Sequence, residues 1–305
     1  MSTITTELPK SVEISDSDCE SYEKDGFLVV PNALTGEEVE ELRHETVEIC
    51  RGHRGAVNGL AESSEDEPDD EIIRRTLCIH QIHKISPIML HYLAQSAMVE
   101  GLTKLIGPNV KCMQSMLFIK AAGKPGQAWH QDEIFIPTRD RSLTGGWVAM
   151  DDATTENGCL WVIPGSHSRG ILWPQENQND PRFDCAAETR GFPYQDEDAI
   201  PVEVKAGAIV FFNGYLLHRS LPNRAAGGYR RALVNHYMSA ESLLPWRTNT
   251  SADTPVQVGR SDFRDIVMIA GEDPYAFKGL EDTVRPSVRR SGEGGCGEPK
   301  RPKSK

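Results

Sequence analysis

The chain reads as a mainly β protein with flanking helices, a double-sheet jelly roll with amino-terminal helices packed on one sheet. Two observations predict this. Up to Ile106 the apolar residues follow helical spacing, whereas from Val110 onward the texture changes to short β-rich runs. These runs are Val110 to Lys120, Trp147 to Met150, Cys159 to Ile163, Val202 to Val204, Ile209 to Phe212, Leu216 to His218 and Arg230 to Met238. Gly, Pro and Asn-Gly turn signals and long irregular insertions separate them, the pattern of two packed sheets built from short strands.

In chain order, Ser15 to Asp25 has helix-compatible spacing, and Phe27-Leu28-Val29-Val30 is a short strand stopped by Pro31. Thr35-Gly-Glu-Glu38 fits a capping box, after which Val39, Leu42, Val47 and Ile49 supply the apolar stripe of a helix ending near Cys50. Residues 62–71 are an acidic block that cannot pack against itself and reads as a solvated loop; the glycine and spacing of an EF-hand calcium loop are missing. Pro87 to Ile106 predicts a helix, broken near Ser96, that buries Met89, Leu90, Leu93, Met98, Leu102, Leu105 and Ile106. The expected organisation is a flexible start over 1–14, a single domain over 15–283 and a disordered basic tail over 284–305.

A chain of 305 residues buries roughly three quarters of its unfolded surface, so size demands no disulfide framework. Its 38% hydrophobic and 26% charged residues are those of a soluble globular protein, and the longest apolar runs, Ala208 to Phe212 and Leu160 to Pro164, are too short to span a membrane. The net charge of −12 repels a phosphate backbone, which disfavours nucleic acid as a partner. Seven scattered cysteines, an odd number without a Cys-x-x-Cys pair, fit reduced thiols. The acidic first thirty residues lack a secretory pattern, and the final Lys-Ser-Lys is not a peroxisomal Ser-Lys-Leu, so the expected location is cytoplasmic.

The chemistry centres on His130-Gln131-Asp132. On a strand or its end, residues 130 and 132 project from one face, so an imidazole nitrogen and a carboxylate oxygen enter the same cavity. His218, 88 residues further on in Tyr215-Leu-Leu-His-Arg-Ser220, is the candidate third ligand. Two imidazoles and one carboxylate on one face of a metal leave three coordination positions open, the facial triad of non-heme iron(II) oxygenases. In a chain with nine histidines a lone His-x-Asp arises by chance; the remaining seven, His44, His53, His80, His83, His91, His167 and His236, need no metal to explain them. Arg230-Arg231 opens a strand twelve residues after His218, where a guanidinium fork can meet a carboxylate in the same cavity.

The order His130-Gln-Asp132, Trp147, Glu156-Asn-Gly-Cys-Leu-Trp-Val-Ile-Pro-Gly-Ser-His167, His218-Arg-Ser-Leu-Pro-Asn223 and Arg230-Arg-Ala232 resembles the phytanoyl-CoA dioxygenase family, in particular its domain-containing branch, from about Phe27 to Tyr237. The resemblance implies a cupin-like double-stranded β-helix that uses iron(II), 2-oxoglutarate and dioxygen, with ascorbate as reductant in vitro. It implies His130, Asp132 and His218 as iron ligands, Arg230 as the partner of the distal carboxylate of 2-oxoglutarate, and Trp147, Met116 and Lys84 as further cosubstrate-pocket residues. The loop before Arg230 is one or two residues longer than in many relatives, which keeps Arg231 as the alternative. Lys84 lies between Ile82 and Ile85, where a buried amine needs a counter-charge.

The expected reaction is hydroxylation of a carbon–hydrogen bond of a small organic substrate, with release of succinate and carbon dioxide. Two rival readings are a non-catalytic metal and 2-oxoglutarate binder and an oxygen-independent metal hydrolase or isomerase on the same barrel. Leu172-Trp-Pro174, Phe183, Phe192, Pro193, Tyr194 and the segment 134–146 with Arg139 and Arg141 are the expected pocket walls, suited to an amphipathic small molecule. Oligomeric state is not readable from the sequence.

Overall fold

The structure, a computed structural model, describes residues 12–184, 187–242, 266–278, 280 and 284–289. Helix α1 (Asp16–Asp25) begins on a capping box in which Ser15 accepts from the Asp18 N–H and Asp18 accepts from the Ser15 N–H. It stops at Gly26, whose φ of 84° suits a residue without a side chain; a Cβ there would collide with the His167 ring. β1 (Phe27–Val30) follows at once. α2 (Gly36–Cys50) starts on the expected Thr35/Glu38 box. Then come α3 (Asp69–Arg74), β2 (Cys78–His80), α4 (Pro87–Tyr92), α5 (Ser96–Leu105), β3 (Val110–Ala121), β4 (Gln127–His130) and β5 (Thr144–Ala149). β6 (Leu160–Val162), β7 (Gln175–Asn177), β8 (Ala187–Thr189), β9 (Ile200–Val202), β10 (Ile209–Asn213), β11 (His218–Ser220), β12 (Tyr229–Ser239), β13 (Val267–Ala270) and β14 (Ser287–Val288) complete the order.

Two antiparallel sheets make the jelly roll. The larger runs β1-β10-β5-β12-β3-β2-β14, with β13 also on β3; the smaller runs β4-β11-β6-β9. Strand alternation divides the larger sheet into two faces. Leu117, Ile119, Val148, Ile209, Phe211, Leu233 and Tyr237 point outward and pack under Leu42, Ile49, Met89, Leu93, Met98 and Leu102 of the helices. The Tyr237 hydroxyl donates to the Leu93 carbonyl at 3.0 Å, pinning the helical layer to the sheet. Met116, Phe118, Trp147, Ala149, Val210, Phe212, Ala232 and Val234 point inward and meet Val162 of the smaller sheet. Each buried Val, Leu, Ile, Met or Phe among them contributes about 1.5–3 kcal/mol by leaving water. No helix among the described residues is long and apolar enough to cross a membrane.

Several expectations need correction. The break near Ser96 is present, where the Gln95 side chain accepts from the Ala97 and Met98 N–H groups and starts α5, but Leu90 is 42% exposed instead of buried. The acidic block is not loop throughout. Asp69, Asp70 and Glu71 form the first turn of α3, where the helix dipole favours anions, and Arg51 binds Asp69. Val202 ends β9 and Val204 only bridges Ala153, while β11 begins at His218 and not at Leu216. At the amino end, Ile14 is buried and Val12 packs on the core, so the flexible start does not reach residue 14; residues 1–11 lie outside the described residues.

The expected disordered tail is ordered at its beginning. β14 pairs with β2, and Arg289 donates its backbone N–H to Cys78 O and its guanidinium to the buried Asp184 at 2.7 and 3.1 Å. An unpaired sheet edge and a buried carboxylate together fix this segment. Residues 290–305 lie outside the described residues.

Candidate metal centre

β4 and β11 are antiparallel neighbours, and their register sets His218 directly opposite His130. The two rings lie 4.0 Å apart between centroids. Directly after β4, a 3-10 turn over Asp132–Ile134 brings the Asp132 carboxylate under both rings, with Oδ1 3.7 Å from each Nε2. One ligand atom from each of the three residues lies within 4.8 Å of the others. Three groups far apart in sequence therefore converge because two edge-to-edge strands and one turn meet there.

The hydrogen bonds around the triad fix its chemistry. His130 Nδ1–H donates to Ala128 O at 2.8 Å and His218 Nδ1–H to Leu216 O at 3.0 Å, which leaves each Nε2 lone pair facing Asp132. Burial, reinforced by the neighbouring His218, pushes His130 down to about 3, so its imidazole is neutral at physiological pH. Burial acts to raise the Asp132 carboxyl, but His218, His236 and His130 outweigh it and hold the group well below the usual carboxylate range. Two imidazole nitrogens and one carboxylate oxygen, all aimed at one point, fit a first-row divalent metal.

His236, which seemed to need no metal, belongs to this centre. Its Nε2–H donates to Asp132 Oδ2 at 3.0 Å, and the ring is only 3% exposed. That bond occupies one carboxylate oxygen and leaves Oδ1 for the centre. A sequence signal existed: residues 230, 232, 234 and 236 share one face of β12, so the face that carries Arg230 also carries His236.

Arg230 points into the same cavity. It is 3% exposed, its guanidinium lies 5.6 Å over the Trp147 ring, and its Nε has no hydrogen-bond partner. Among the described residues no carboxylate lies within ion-pair distance of it. Burial pushes its pKa down to about 10, which still leaves a cation at neutral pH. Arg231 turns to the opposite face and grips Asp151 through two 2.8 Å bonds, so alternation settles which arginine faces the cavity.

Trp147 and Met116 line the cavity together with the triad, His236, Phe118, Phe135, Leu160, Phe212, Ser220 and Val234. Lys84 does not. Ile82 and His83 take the buried positions of its 3-10 turn, and Lys84 Nζ donates to Val284 O at 2.5 Å. The expected walls also differ. Trp173, Phe192 and Tyr194 pack with Trp129, Ile163, Ala199 and Leu217 in a separate cluster, and Arg141 stacks 5.6 Å over Tyr215. Of 134–146 only Phe135 reaches the cavity; neither Arg139, Phe183 nor any of 172–174 and 192–194 lines it.

A jelly roll whose interior holds a buried two-histidine, one-carboxylate cluster beside an uncompensated arginine defines a class of mononuclear metal proteins. The family model for phytanoyl-CoA dioxygenase (PhyH) matches residues 22–232, and the chain belongs to that family. It is 26% identical over 264 residues to "Phytanoyl-CoA dioxygenase 1" of Oryza sativa subsp. japonica, an alignment covering 77% of this chain and 92% of that one. In fold it is similar to EctD from S. alaskensis with bound Fe, with a TM-score of 0.60 and 18% identity over 88% of this chain and 90% of that one. It is also similar to EvdO2 from Micromonospora carbonacea var. aurantiaca complexed with 2-oxoglutarate, with a TM-score of 0.58 and 23% identity over 81% and 97%.

Proposed function

We propose that this protein is an iron(II)- and 2-oxoglutarate-dependent dioxygenase that hydroxylates a carbon–hydrogen bond of a small organic substrate. The single observation that carries the reading is the coincidence, in one cavity, of the His130/Asp132/His218 cluster and the buried Arg230, which has no carboxylate within ion-pair distance among the described residues. Bound iron(II), with 2-oxoglutarate and dioxygen, supplies the oxidising chemistry, and the 2-oxo acid leaves as succinate and carbon dioxide. His130, Asp132 and His218 hold the metal through Nε2, Oδ1 and Nε2. Arg230 takes the far carboxylate of the cosubstrate, in line with the missing counter-charge around its guanidinium. Trp147 stacks on that guanidinium, and Met116 shares the inner-face cluster with Trp147. Phe118, Phe135, Phe212 and Val234 exclude water from the reacting centre and offer an apolar surface to the substrate.

Among the described residues Cys19, Cys50, Cys112 and Cys159 carry free thiols, which fits a reducing compartment such as the cytoplasm. The test is turnover: purified protein with iron(II), 2-oxoglutarate, dioxygen and ascorbate, screened against small molecules. Succinate appears in step with a product heavier by one oxygen atom, and Asp132→Ala abolishes both while its unfolding transition is retained. Turnover that survives in Asp132→Ala, or that proceeds without dioxygen, overturns the reading.

A further inference from the structure

Behind the cavity, next to Arg230, lies a second buried cation that the site described above does not use. Lys120 lies on the inner face of β3 directly opposite Arg230 of β12, and is 2% exposed. Among the described residues no carboxylate lies within ion-pair distance of its ammonium. Its three N–H bonds go instead to Leu221 O at 2.8 Å, Gly158 O at 3.2 Å and Ser220 Oγ at 2.9 Å. Gly158, at a φ of 84°, makes room for this; a Cβ there would stand 2.9 Å from the Lys120 nitrogen. Three protons on three acceptors leave the ammonium none to offer a ligand.

Packing alone does not account for such a group. Two buried cations side by side without a carboxylate are costly, and an apolar side chain of the same length would fill the space without that cost. Burial, with Arg230 behind it, drives the Lys120 pKa well below that of free lysine, and an anion arriving at Arg230 brings the counter-charge that both cations lack. The effect of Lys120 is visible at Ser220, which lines the cavity. Ser220 Oγ accepts from Lys120 Nζ and, at 3.2 Å, from the Gln127 N–H. With both lone pairs taken, the hydroxyl proton has only one use, donation into the cavity on the Arg230 side.

We propose that Lys120 is a positioning residue for the cosubstrate: it fixes Ser220 as an outward donor next to Arg230, so that the cavity floor accepts a carboxylate terminus and rejects an uncharged one. This rests on the 2-oxoglutarate reading, and the experiment separates the two. Anaerobic calorimetry on Mn(II)-loaded protein compares 2-oxoglutarate with pyruvate, which chelates a metal through the same 2-oxo acid but has no far carboxylate. Lys120→Met and Ser220→Ala each weaken 2-oxoglutarate about tenfold or more, the worth of a hydrogen bond to a charged group, and leave pyruvate unchanged. The double variant loses no more than either single one, because Lys120 acts through Ser220. Lys120→Gln, which keeps N–H donors without the charge, restores part of the affinity.

Unchanged 2-oxoglutarate affinity in Lys120→Met, equal losses for both ligands, or additive losses in the double variant overturn the inference while wild-type binding keeps the cosubstrate reading intact. If Lys120→Met does not fold, Ser220→Ala carries the same expectation, and its unchanged affinity overturns the inference equally. A wild-type protein that holds the metal but binds no 2-oxoglutarate removes the reading itself and this inference with it.

Discussion

At the scale of single residues, the centre depends on how few choices its side chains are left. His130 and His218 each have the Nδ1–H committed to a carbonyl two residues back, so Nε2 is the nitrogen left for a metal. Asp132 has one oxygen committed to His236, which orients the other. His236→Phe removes that bond while keeping a ring of similar size. Chelator competition on the variant then shows metal affinity lowered about 10- to 100-fold, the usual cost of losing an outer hydrogen bond to a metal ligand; an unchanged affinity makes His236 a packing residue only. The triad was legible in the sequence because His130 and Asp132 sit two apart and His218 sits in a matching motif. His236 was not, although it shares its strand face with Arg230, because the Asp132 turn that meets it is more than a hundred residues away.

Among the elements, what is encoded locally was readable and what depends on a distant edge was not. The capping boxes at Ser15 and Thr35 are complete within four residues; the one at Thr35 is read from the sequence, and each starts its helix. β14 is two residues long, with no periodicity to reveal it; it exists because β2 leaves an edge open and Asp184 needs a cation. Trp173, Phe192 and Tyr194 carry the composition of a pocket wall, but the outer face of the small sheet claims them. Arg289 also stacks 5.4 Å over Phe118, so this strap joins the larger sheet to the segment beside β4, the strand that carries His130. Arg289→Met takes the neutralising guanidinium from Asp184, whose side chain is 1% exposed. The account expects a loss of about 3–5 kcal/mol in urea unfolding, the cost of breaking a buried pair from one side. A loss within the range of an exposed ion pair, about 0–1 kcal/mol, would mean that the strap is dispensable.

For the whole molecule, the two faces of the larger sheet divide the labour. The outward face is spent on the helical layer, and this leaves the inward face free to hold groups that a core does not tolerate unaided, His236, Arg230 and Lys120, while the smaller sheet and the turn after β4 bring His218, His130 and Asp132. The jelly roll was predictable from the run of short strands, and the larger sheet's register then fixes which of two adjacent arginines looks inward. The central claim is that metal and diacid are held by separate groups of one cavity. Anaerobic titration of the apoprotein, first with iron(II) and then with 2-oxoglutarate, tests it most directly. The account predicts one metal and one diacid per chain, Arg230→Met binding the metal but losing the diacid, and Asp132→Ala losing both; diacid binding that is indifferent to Arg230, or that needs no metal, would contradict it.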